Sequence, residues 1–118
     1  MKTKRQKFGH RGEDLAARFL EAQGMRIVER NFRAGHGEID LICQDENVLV
    51  FVEVKARRSN AYGPPESSIT PAKQRQLYKV ASAYLQQHPE LECDFRFDVV
   101  IIDGTPPEIR YYPNAFML

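Results

Sequence analysis

The residues best suited to chemistry are three acids and a lysine at strand-like spacing. Glu38 and Asp40 lie in Gly37-Glu38-Ile39-Asp40-Leu41-Ile42, and Glu53 and Lys55 end the run Val48-Leu49-Val50-Phe51-Val52-Glu53-Val54-Lys55. Residues two apart on a strand share a face and lie about 6.6 Å apart, so Glu38 points with Asp40 and Glu53 with Lys55. The second run is the most apolar and β-branched of the chain, which reads as a strand covered on both faces. Charges near the end of such a strand are expensive to desolvate, by roughly several kcal/mol per ion. If the two runs form a hairpin, the three acids and the lysine meet on one patch. Hard carboxylate oxygens gathered in this way suit Mg²⁺ or Mn²⁺; the expected ligands are Asp40 and Glu53, with Glu38 beside them. Lys55 is the one positive charge this reading places next to the acids. The same spacing also allows a plain cross-strand salt bridge on an exposed sheet face.

Several elements must position these groups. Lys7 to Gln23 reads as a helix stopped by Gly24. Phe8, Gly12, Leu15 and Phe19 form one stripe of it, and Gly9, Glu13, Ala16 and Leu20 the next. Glycines inside a helix cost roughly 1 kcal/mol each relative to alanine, so the backbone there must come close to the sheet or to a phosphate. Glu13, on the small-residue face, either leans toward the sheet and joins the site, or faces solvent in the first turns, where an acid suits the helix dipole. Met25 to Phe32 reads as a first strand. The turn Arg33 to Gly37 follows, with His36 a turn residue rather than a ligand. Glu38 to Gln44 is the second strand, Asp45-Glu46-Asn47 a hairpin turn, and Val48 to Lys55 the third strand.

The breaker-rich stretch from Arg57 to Ser68, which carries Arg58 and Tyr62, begins at the mouth of the site. It either closes over a phosphate backbone or is an inert connection. Thr70-Pro71 opens a second helix with an N-cap and a proline at its first position. Its apolar stripe is Leu77, Val80, Ala81, Tyr84 and Leu85, and His88-Pro89 ends it. Asp94 to Asp103 and Glu108 to Tyr112 are the last strands, around a Gly104-Thr105-Pro106-Pro107 turn. The order α-β-β-β-α-β-β predicts an α/β fold: a mixed five-stranded sheet with a helix on each face and a right-handed crossover from the third strand to the fourth.

With 118 residues the chain is expected to form one domain spanning 1–118. Its 42% hydrophobic and 28% charged content describes an ordinary globular protein. No apolar run approaches the roughly 20 residues of a membrane span, and the basic start has no apolar segment behind it, so neither membrane nor export is indicated. Cys43 and Cys93 match no metal spacing and read as small core residues of two strands, in a reducing cytoplasm. The net charge of +1 is unevenly spread: residues 1–12 hold five Lys or Arg and no acid, and the stretch from Lys55 to Lys79 holds six against Glu66 alone. Such a distribution suits either a polyanion-binding surface or a solvated tail with two exposed helix faces.

The spacing Gly9-x-x-Gly12-Glu13, then Gly37-Glu38-Ile39-Asp40-Leu41-Ile42, then Phe51-Val52-Glu53-Val54-Lys55, then Arg96-Phe97-Asp98-Val99-Val100 resembles the bacterial YraN family across essentially the whole chain. Members of that family are regarded as endonuclease-like proteins of the restriction-endonuclease-like superfamily, distantly similar to archaeal Holliday junction resolvases. The superfamily pattern of an acid, a spacer and acid-x-Lys is matched by Asp40 and Glu53-Val54-Lys55, with Ile39 where a proline is usual. The resemblance implies a restriction-endonuclease-like core and a Mg²⁺- or Mn²⁺-dependent endonuclease acting on DNA, branched or processed DNA included, leaving a 5′-phosphate and a 3′-hydroxyl. The basic arms, with no base-reading motif, suit weak sequence preference at most.

On this expectation Asp40, Glu53 and Lys55 are catalytic, assisted by Glu13 and Gln74. Lys73 supports Lys55 or a phosphate, and Arg57, Arg58, Lys4, Arg5, Lys7 and Arg11 contact the nucleic-acid backbone. A non-catalytic DNA-binding module and a protein-interaction domain are the alternatives. A homodimer is left open.

Overall fold

The most apolar run lies at the centre of the molecule. In a computed structural model, which describes residues 4–58 and 63–117 and side chains from residue 10 onward, Val48–Arg57 is strand β3, the middle of five. On one side of it stand β2 (Gly37–Asp45) and β1 (Arg26–Ala34), joined antiparallel. On the other side β4 (Asp94–Asp103) runs parallel to β3, and β5 (Glu108–Phe116) runs antiparallel to β4. Helix α1 (Lys4–Ala22) precedes the sheet, and α2 (Pro71–Gln87) links the two parallel strands, so the order α-β-β-β-α-β-β is the one the sequence predicts.

Alternation along β3 serves both layers. Val50 and Val52 pack with Ala16, Ala17 and Leu20 of α1, whereas Leu49 and Phe51 pack with Leu77, Val80 and Tyr84 of α2. The apolar stripe expected of α2 is the face it buries; Leu85 is only half-buried at its end. Thr70 caps α2, its hydroxyl accepting from the Lys73 N–H at 3.2 Å. On the other face, a Cβ built on Gly12 would sit 2.5 Å from Ala56 Cβ. The helix glycine is there because α1 lies against β3. Gly12→Ala should therefore destabilise the protein by about 1–2 kcal/mol in urea melts. The gain of roughly 1 kcal/mol in helix propensity is outweighed by overpacking.

Several details of the expected elements change. Strand β1 continues to Ala34, which shrinks the following turn to Gly35 and His36. Cys93 falls just before β4 rather than within it; both cysteines are free, and burial pushes the Cys43 thiol up to about 12. Strand β5 runs on past Pro113 to Phe116, where the sequence predicts an end at Tyr112. Proline is tolerated on an edge strand at a bulge, and here the β4–β5 pairing shifts between Phe97 and Val99, with Asn114 at φ 51°. The fully buried Asp98 fills that irregularity, accepting from Asn114 N at 2.8 Å, from the Tyr111 hydroxyl and from Arg96 Nε at 3.0 Å. Among the described residues no helix is long and apolar enough to cross a membrane.

Candidate active site

The site forms where two strands part. Pairing of β1 with β2 runs through to Ala34 opposite Gly37, but pairing of β2 with β3 stops at Leu41 opposite Val52. One residue before that stop, Asp40 Oδ2 accepts the Val54 N–H at 2.8 Å. A carboxylate thus takes the place of a ladder carbonyl, and Asp40 is held beside Glu53. The Glu53 side chain is only 11% exposed. Its Oε2 is buried and has no hydrogen-bond partner among the described residues. Lys73 Nζ lies 3.6 Å from that oxygen, within ion-pair range but beyond a hydrogen bond.

Two carboxyls in so little water hold a proton between them. Burial, then the neighbouring Glu53 charge, pushes Asp40 up to about 8, against the opposing pull of the Val54 N–H. Glu53 is also raised, by burial first, with Lys73 and Lys55 pulling it back. Glu13 is raised as well, by burial and then by Asp40. In the orientation that satisfies its hydrogen bonds, the Asn31 amide nitrogen donates to Glu38 Oε1 at 2.7 Å and to Glu13 Oε2 at 3.3 Å. Of the two readings of Glu13, the structure takes the one that leans toward the sheet. Glu38 and Glu13 are tied together by Asn31, a residue the sequence reading passed over. Its one signal is an asparagine inside a strand; it adopts φ 56°, a region asparagine enters more readily than most residues.

Lys55 is half-buried, and alternation puts it on the face of Glu53, since Val54 and Ala56 pack on the α1 side. It is not the sole cation beside the acids, as the sequence suggested: Lys73 is there too. Lys73 sits three residues after the N-cap of α2, where the helix dipole disfavours a positive charge by about 0.3–1 kcal/mol. Its position serves Glu53, not the helix.

Other candidates lie elsewhere. Gln74 turns away, Nε2 donating to Ile69 O at 3.2 Å, and lines a cavity of about 410 Å³ with Glu66, Tyr112 and Phe116. Arg57, expected on a phosphate, is engaged with the buried Asp103, Nε to Oδ1 at 3.3 Å. Asp103 is shared with Arg110, which also grips Glu66 (Nε to Oε2, 2.9 Å) and holds that carboxyl down to about 2. The far end of the 57–68 stretch is thereby pinned to β5; Tyr62 lies outside the described residues. Arg58 and Arg11 line a cavity with Gly12 and Ile102, on the α1 side of the sheet. The side chains of Lys4, Arg5 and Lys7 lie outside the described residues.

Does this donor set fit a divalent cation? Among the described residues no three Asp, Glu, His or Cys side chains form a closed cage. Mg²⁺, however, keeps several waters and takes one or two carboxylates. Glu53 Oε2, beside Asp40, is a buried hard oxygen with no hydrogen-bond partner among the described residues and with Lys73 only at ion-pair range, and it fits such an ion.

A mixed sheet whose second and third strands part over a buried carboxyl pair, with a lysine from β3 and another from α2, defines an α/β protein with an acid–lysine site. The chain belongs to the UPF0102 (YraN) family: residues 12–102 match the model of the family described as "Uncharacterised protein family UPF0102". It is 48% identical over 113 residues to a UPF0102 protein of Geobacter sulfurreducens, covering 93% of this chain and 88% of that one. A UPF0102 protein of Desulfosudis oleivorans is 46% identical over 116 residues, covering 98% and 94%.

Proposed function

We propose that the protein is a Mg²⁺- or Mn²⁺-dependent endonuclease that hydrolyses DNA phosphodiester bonds. The observation that carries the reading is the buried Glu53 Oε2, without a hydrogen-bond donor among the described residues, next to a carboxyl that holds its proton to about pH 8. Structural carboxylates are ordinarily supplied with donors, as Asp98 is. A buried pair with an oxygen left short of a donor is what a metal site without its metal would contain. Asp40 and Glu53 would hold the ion, which when bound supplies charge neutralisation for the phosphate and a more acidic water. The chain's own groups do the rest. The Val54 N–H fixes the orientation of Asp40, and Asn31 restrains Glu13 and Glu38 at the border of the site. Lys55, on the face of Glu53, is placed to offer a point charge to the phosphate oxygens or to orient the attacking water. Lys73 supports Glu53.

Two measurements test this reading. Mn²⁺ at about 100 times its dissociation constant should stabilise the wild type by roughly 2.7 kcal/mol, a shift that Asp40→Ala abolishes. A cleavage panel of single strands, duplexes, flaps and four-way junctions should give metal-dependent products that Glu53→Gln loses. Metal binding with no cleavage of any substrate would overturn the nuclease, and DNA binding would then separate a DNA-binding module from a protein-interaction domain.

A further inference from the structure

Between the β1–β2 hairpin and α2 lies a groove of about 510 Å³. Small residues form its walls, among them Ala34, Gly37, Ala72 and Ala83, and Arg75 and Lys79 stand along its helix side. The spacing of hairpin and helix is set by contact. A Cβ on Gly37 would meet Val80 Cγ2 at 2.5 Å, and Gln76 Nε2 donates to His36 O at 3.2 Å. Arg75 and Lys79 are four residues apart on α2, and both are exposed. Like charges at that spacing repel and weaken a helix, so the folding of α2 does not account for them. Among the described residues no acid lines the groove, in contrast to the cavity beside Glu66. Among the described residues neither cation has a carboxylate in ion-pair range, whereas Lys73 and Arg57 both do.

The groove is built on the same two elements, β2 and α2, that carry Asp40 and Lys73. Gly37 precedes Asp40 by three residues on β2, and Arg75 follows Lys73 by two on α2. We infer that this groove receives the phosphodiester backbone of the DNA strand that runs into the acid pair, with Arg75 and Lys79 each meeting a phosphate. This rests on the endonuclease reading and moves the backbone contacts from Arg57 to the hairpin side of α2. The groove reads charge rather than bases: apart from its two cations, only His36 and Gln76 of its lining carry groups for a base edge, and Gln76 is already spent on the hairpin.

The test is DNA binding by fluorescence anisotropy without divalent metal, across a range of salt, followed by cleavage with Mn²⁺. Arg75→Gln with Lys79→Gln should weaken binding to every sequence at least tenfold near 0.1 M salt. It should also flatten the slope of log K against log salt by about 2. The charge-preserving pair Arg75→Lys with Lys79→Arg should restore the slope, and the neutral pair should raise KM with kcat at saturating DNA unchanged. A wild-type slope in the neutral pair overturns the groove while leaving the nuclease reading intact. So does binding that the charge-preserving pair fails to restore. Groove-dependent binding without cleavage by the wild type supports the groove and overturns the nuclease reading. No DNA binding by the wild type at low salt overturns both.

Discussion

Asp40→Asn should make the metal-free protein more stable, and increasingly so as the pH rises. In the fold Asp40 titrates near 8, against 3.8 as its ordinary value, chiefly because it is buried and secondly because Glu53 is beside it. Between those two values the folded state binds more protons than the unfolded chain, so stability falls as the pH rises from about 4 to about 8. Below pH 4 both states are protonated and no penalty exists; above pH 8 it is complete. At about 1.4 kcal/mol per pKa unit the ceiling is on the order of 5 kcal/mol. Glu53 shares the proton and relieves part of this, so asparagine should recover about 2–4 kcal/mol at pH 8. Asparagine's carbonyl oxygen can still accept the Val54 N–H, so the local geometry survives. For a chain of 118 residues the gain is a melting-temperature rise of roughly 10 °C at pH 8, shrinking toward nothing at pH 4. The same variant should lose any Mn²⁺-induced shift. Equal melts of variant and wild type at pH 4 and at pH 8 would mean the pair is hydrated and carries no strain.

Local pattern made much of this legible. The valine run of β3 announces a central strand, and a tight 45–47 turn dictates a hairpin in which Asp40 must fall next to Glu53. Periodicity of 3.6 was enough to name the buried face of α2. What periodicity cannot supply is the docking of one element on another. Lys73 enters the site because the first turn of α2 sits over Glu53, and Gln74, one residue later, is rotated away to Ile69. Arg57 looked like a phosphate ligand because its partner, Asp103, is 46 residues away in sequence. Asn31 depends on a positive φ within a strand, and the tail of β5 on a bulge built around a buried aspartate. The roles of Lys73 and Arg57 and the tail of β5 are set by long-range contacts, invisible to a reading confined to neighbours along the chain.

Lys73 gives the second large effect, because its ammonium stands at 3.6 Å from the Glu53 oxygen that has no donor among the described residues. In the metal-free protein it is the nearest compensation for a buried negative charge; Lys55 contributes less to Glu53. Removing one partner of a buried pair costs about 3–5 kcal/mol. The Lys73 side chain is 34% exposed, however, and solvent screening reduces the expected loss for Lys73→Met to about 1–3 kcal/mol. Lys55→Met should lose less than that. Metal reverses the order. A divalent ion supplies to Glu53 more charge than the ammonium did, so Mn²⁺ should raise the melting temperature of Lys73→Met more than that of the wild type. Lys55→Met should keep a wild-type Mn²⁺ shift and lose cleavage, since its charge is wanted at the phosphate rather than at the acids. Glu53→Gln should be no less stable than the wild type without metal and should not respond to it. A structural salt bridge predicts another pattern: Glu53→Gln and Lys73→Met would lose similar stability, and Mn²⁺ would shift no melt at all. Thermal melts of the three variants with and without Mn²⁺ separate the two, and the second pattern would remove the metal site and the nuclease with it.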